Sequence, residues 1–146
     1  MGKRREARET ALQILVARDL NHDFAEEEQD VFWELLECSS AARTMGETLV
    51  TNLEPHRTEI DRRLDDVTQN YDIERLSTVD RNILRIAIYE MFHRLDTPPI
   101  VSINEAIEIA KRFGTEESGR FVNGVLDRLK EQLDRPLREA SPSPGS

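Results

Sequence analysis

Ser77-Thr78-Val79-Asp80, continuing through Arg81-Asn82-Ile83-Leu84-Arg85-Ile86-Ala87-Ile88-Tyr89-Glu90-Met91-Phe92-His93-Arg94-Leu95, is the stretch that decides the fold. A serine with an acid three positions later marks a helix start: the serine oxygen can take a backbone N–H that the helix leaves unbonded, and the acid suits the positive end of the helix dipole. Val79, Ile83, Leu84, Ile86, Ala87, Ile88, Met91, Phe92 and Leu95 then cover most of the helix circumference, which predicts a central helix packed on several sides. No segment alternates with a convincing strand period. The fold class that follows is all-α.

Working outward, Pro98-Pro99 interrupts the apolar pattern, and Ser102-Ile103-Asn104-Glu105 repeats the start signal for a helix with Ile103, Ala106, Ile107, Ala110 and Phe113 inward. Gly114 stops it, and Thr115 or Ser118 opens a last helix burying Phe121, Val122, Val125, Leu126 and Leu129. Toward the N-terminus, Asn70-Tyr71-Asp72 breaks the chain, Pro55 suits the first turn of a helix carrying Ile60, Leu64 and Val67, and Ser39 or Ser40 caps a helix running to Leu53. An acidic helix over residues 26–37 and a first helix from Lys3 to about Leu20, with Ala7, Ala11, Ile14 and Leu15 on one face, bring the expectation to about seven helices. Residues 1–134 read as one domain, and the Pro- and Ser-rich segment 135–146 reads as a disordered tail.

The 146 residues carry a formal net charge of −9, which argues against a general, non-specific nucleic-acid binder. Any such site must be local, and the charge is uneven: Lys3, Arg4, Arg5 and Arg8 crowd the N-terminus, whereas residues 23–37 hold acids and no bases. On a helix Arg4, Arg5 and Arg8 fall within about a quarter-turn of one another, a stripe able to take phosphate oxygens and stack on unpaired bases. The same residues also fit a solvated helix end with an Arg5–Glu9 pair. In Phe121-Val122-Asn123-Gly124, a glycine inside a helix costs about 1 kcal/mol relative to alanine, so something is expected to approach the backbone, either a packed helix or a ligand. Asn123 can offer its amide to a base or phosphate or simply face water.

Catalytic chemistry finds no foothold. His22, His56 and His93 lie far apart without metal-ligand spacing, and the glycines at 114, 119 and 124 lack the Lys-Ser/Thr pair and preceding strand of a phosphate loop. No catalytic residue, metal ligand or cofactor is expected. The single cysteine, Cys38, reads as a small buried hydrophobe in a reducing compartment. No apolar run is long enough for a bilayer, and Met1-Gly2-Lys3-Arg4-Arg5 leads into charge, so the chain is expected to be cytoplasmic.

Three segments together carry a family resemblance: residues 3–9, residues 79–90, and Ile103-Asn104-Glu105-Ala106-Ile107-Glu108-Ile109-Ala110-Lys111 with Phe113-Gly114 and Phe121-Val122-Asn123-Gly124-Val125-Leu126. They resemble the NusB family of transcription antitermination proteins, strongly in the second half and loosely over residues 22–66. The resemblance implies two small helical bundles, divided here near residues 72–77. It further implies binding of the boxA element of ribosomal RNA transcripts together with NusE, the small-subunit ribosomal protein, within an RNA polymerase antitermination complex. It assigns RNA contact to Lys3, Arg4, Arg5, Arg8, Phe121, Asn123 and Gly124, and a NusE-facing side to Glu74, Arg75, Asp80 and Arg81. Asp80 on its own fits a cap of the helix opened by Ser77 equally well. Val16 stands where many relatives carry an aromatic residue, and Glu6 replaces a base, which implies a weaker or differently distributed RNA affinity. The same fold fronts ribosomal RNA cytosine methyltransferases, but this sequence holds no Gly-rich nucleotide-binding unit or catalytic cysteine motif. A stand-alone RNA-guiding domain or a helical protein adaptor is the alternative.

Overall fold

The computed structural model describes residues 2–20, 39–68 and 76–140. All regular structure among them is helical: α1 (Lys3–Leu20), α2 (Ser40–Leu53), α3 (Arg57–Val67), α4 (Thr78–His93), α5 (Pro99–Phe113) and α6 (Ser118–Leu129), with 3-10 turns at Glu54–His56 and Lys130–Gln132. The expected acidic helix over 26–37, together with Cys38 and His22, lies outside the described residues.

The chain divides into two units, Met1–Pro55 and His56–Ser146. In the first, α1 packs on α2. Ala7, Ala11, Ile14 and Leu15 are buried as their spacing predicts, joined by Leu12 from α1 and by Ala42, Leu49, Val50 and Leu53 from α2. Ser39 is the residue that caps α2, its Oγ accepting the Ala42 N–H at 3.1 Å.

In the second unit α4 packs on α3, α5 and α6, and α6 also packs on α3 and α5. Every residue of α4 from Asn82 to Met91 is buried, which is what apolar side chains around most of its circumference require. Ile60 and Leu64 of α3 share this unit's core with Val122, Val125, Leu126 and Leu129 of α6. Because α3 is held by α4 and α6, the division falls between Pro55 and His56, ahead of the break at 72–77 that the sequence suggests.

Three boundaries differ from the sequence expectation, the first being that Pro55 lies in the 3-10 turn Glu54–His56, ahead of α3. Helix α5 begins at Pro99, with Ser102 and Ile103 buried one turn inside it. A proline lacks only an N–H that a first-turn residue would leave unbonded, so Pro99 starts a helix at the point where the apolar pattern breaks. At the other end, order runs past Asp134. The guanidinium of Arg135 donates to the carbonyls of Glu90, Met91, Arg94, Leu95 and Thr97 at 2.9–3.2 Å, and Ile100 N–H donates to Leu137 O at 2.8 Å. Arg135 thereby gathers carbonyls of the last turn of α4 and of the segment that follows it. Burial lowers its pKa from the usual arginine value, with Asp96 partly offsetting the effect.

Candidate nucleic-acid interface

The N-terminal bases are set by how α1 starts. The Gly2 carbonyl accepts the N–H groups of Arg5 and Glu6 at 3.1 and 3.2 Å, so the helix is wound from Lys3 onward. Lys3 and Arg4 are exposed, Arg5 is half-buried, and Arg8 is buried at 4% exposure. Arg5 and Arg8 are each already engaged in interactions of their own. The basic stripe therefore grades from open to enclosed along a little more than one turn.

Glu6, the acid that interrupts the bases, has a structural task the sequence did not disclose. Its Oε1 accepts the Ser39 N–H at 3.1 Å, placing a carboxylate at the N-terminal end of α2. There it ties α1 to α2 and faces the positive end of the α2 dipole. Val16 is half-buried in the same helix.

The second predicted patch lies on α6. Val122, Val125, Leu126 and Leu129 turn inward, leaving Phe121 half-buried and Asn123 and Gly124 exposed. A Cβ built on Gly124 meets nothing within 4 Å, so close helix packing does not explain this glycine. The close approaches are elsewhere: a Cβ on Gly119 would sit 3.1 Å from Lys111 Cγ, and one on Gly114 would sit 2.3 Å from Ser118 Oγ. Ser118 Oγ also accepts the Thr115 N–H at 2.9 Å, so both residues read as possible helix starts take part in the turn. Arg120, one turn before Gly124 on the same face, is exposed. Sequence reasoning passed over it, although its position four residues before the glycine inside the helix was the available signal.

The third predicted group is partly described, since Glu74 and Arg75 lie outside the described residues. Asp80 and Arg81 occupy the first turn of α4, where Ser77 Oγ accepts the Asp80 N–H at 3.0 Å. The cap is therefore made by the serine, and the Asp80 Oδ1 is buried without a hydrogen-bond partner among the described residues, as is Arg81 Nε. Arg81 also lines a cleft of about 360 Å³ with Asp61, Arg62, Asp65 and Arg85. Arg85 is fixed there by Asp61 through bonds of 2.8 and 3.2 Å and by Asn82 at 3.0 Å.

One grouping escaped the sequence altogether. His56 and His93, isolated in the chain, stack with ring centroids 3.8 Å apart, and Glu59 meets His93 Nε2. No helix among the described residues is long and apolar enough to cross a membrane.

A family model for the NusB family matches residues 5–131. Among curated relatives, the transcription antitermination protein NusB of Myxococcus xanthus is 41% identical over 140 residues, covering 93% of this chain and all of that protein. That of Trichlorobacter lovleyi is 45% identical over 130 residues, covering 89% of this chain and 92% of the relative. Of solved structures, T. maritima NusB superposes with a TM-score of 0.77 at 35% identity, covering 90% of this chain and 93% of that one. A structure of antitermination factors NusB and NusE in complex with double-stranded RNA superposes with a TM-score of 0.75 at 28% identity, covering 90% and 98% of the two chains.

Proposed function

The chain belongs to the NusB family, and from that premise we propose that it is a cytoplasmic transcription antitermination factor. In this role it binds boxA-type single-stranded RNA of ribosomal RNA transcripts together with NusE, as part of an RNA polymerase antitermination complex. The observation that carries the reading is the near full-length likeness to NusB proteins, one of them solved with NusE and RNA. The work is done by binding, without catalysis.

Two groups of residues are suited to RNA. Lys3, Arg4 and Arg5 offer phosphate contacts at the open end of α1, and Arg8, buried, continues the basic stripe one turn on. On α6, Gly124 leaves the backbone bare beside exposed Asn123 and Arg120, so a base or phosphate can come closer there than over any side chain. Phe121, half-buried, is the aromatic residue of the same stretch of α6.

NusE is proposed to meet the start of α4, at Asp80 and Arg81, with Glu74 and Arg75 on the preceding segment. A buried carboxylate oxygen and a buried guanidinium nitrogen without partners among the described residues are costly in isolation, and a basic partner chain is suited to supply a donor to Asp80. Titration of boxA-like and scrambled RNA, with and without NusE, tests the proposal. Preferential binding of the boxA-like RNA, tightened by NusE, is expected. Equal affinity for both RNAs sinks the specificity, and NusE binding with no RNA binding at all leaves a protein adaptor in its place.

A further inference from the structure

We propose that His56, Glu59 and His93 form a binding site for a divalent transition metal of the zinc class. His56 closes the 3-10 turn before α3, Glu59 stands three residues later in the first turn of α3, and His93 is the last residue of α4. One donor atom from each, two imidazole nitrogens and a carboxylate oxygen, lies within 4.8 Å of the others. Neutral imidazole and carboxylate are ligands zinc takes together, and three protein ligands leave a further position open to water.

Local geometry favours a cation here. His56 and Glu59 project from adjacent turns of one short stretch, so their spacing is set by the backbone. His93 is the last residue of α4, so its position is likewise fixed by the helix. Glu59 and His93 Nε2 already meet, and the metal takes the place of that direct contact. Binding therefore requires some closure and turning. With metal bonds of about 2.0–2.1 Å, tetrahedral donors lie roughly 3.3 Å apart. The two imidazole planes are now only 18° from parallel, so their in-plane lone pairs do not yet converge. His56 and His93 are half-buried and the Glu59 side chain lies on the solvent side, so binding turns both rings out of their stack. Arg63, whose Nη2 is 3.9 Å from Glu59 Oε1, competes for the carboxylate and must release it.

Metal bound there would join the start of α3 to the end of α4 within the second unit. The test uses the full untagged chain, stripped with a chelator and titrated with zinc by calorimetry, with cobalt as a spectroscopic stand-in for nitrogen and oxygen ligation. One zinc per chain is expected, with a higher melting temperature that chelation reverses. His56→Ala and Glu59→Gln should each weaken binding by roughly tenfold or more, whereas His22→Ala should leave it unchanged. On the unaltered chain, the imidazole resonances of His56 and His93 should shift together at one equivalent of zinc, a readout that needs no variant to fold. The absence of saturable binding overturns the proposal. So does binding that persists in the His56→Ala, Glu59→Gln double variant, or a resonance shift confined to His22.

Discussion

Gly124 sits in the interior of α6 with open space where a side chain would be, so it sacrifices helix propensity without any packing return. Gly124→Ala should stabilise the fold by about 1 kcal/mol while weakening RNA binding, because the added methyl holds the ligand off the backbone. Thermal melts beside RNA titrations check both halves, and a stabilised variant with unchanged RNA affinity removes this backbone from the interface. Glu6→Ala should cost about 0.5–1 kcal/mol, the loss of one carboxylate at a helix N-terminus, measured as a lower denaturation midpoint. These two residues also mark what was readable. The glycine stood out as an anomaly within its own helix, but only neighbours in space decide between packing and exposure. Glu6 looked like a gap in a basic run because its partner, Ser39, is distant in sequence. The same distance hid His56 from His93, whose pairing depends on two helix ends converging.

At the scale of the element, α4 is held at both ends by unlike devices. Its start was legible because a cap is local: the serine and the N–H it accepts are three residues apart. Ser77→Ala should lower stability by about 1 kcal/mol, measured by denaturant unfolding. Its far end was not legible, since the residue that gathers carbonyls there lies in a segment whose composition reads as tail. Arg135→Ala should cost about 2 kcal/mol, in the range for hydrogen bonds to a charged group. Burial lowers the Arg135 pKa, but an arginine stays protonated throughout ordinary working conditions, so this deficit should be the same in mildly acidic and mildly alkaline buffer. A deficit that disappears in either buffer assigns the effect to another group. The start of α5 was misplaced for a reason of its own, that a proline both ends one pattern and opens the next helix.

At the scale of the whole molecule, a net charge of −9 sets the terms on which RNA is approached. Replacing Lys3, Arg4 and Arg5 with alanine should flatten the dependence of log affinity on log salt by about 2, from three single-strand phosphate contacts. An unaltered slope assigns the phosphate contacts elsewhere. Asp80→Lys should weaken assembly with NusE, and RNA affinity through it, with little effect on the isolated chain's own RNA binding; comparing titrations of the two states checks this. The all-α architecture was legible because buried stripes repeat at helical spacing in every described segment, whereas the division at Pro55 depends on which helices α3 chooses as neighbours. The clasp on α4 bears, finally, on how the protein is made. Arg135 lies 44 residues beyond Met91, whose carbonyl it binds. During synthesis on the ribosome the central helix therefore emerges with its last turn open, and it closes only after α5, α6 and the following turn have been translated, so that completion of the second unit is the event that seals its innermost helix.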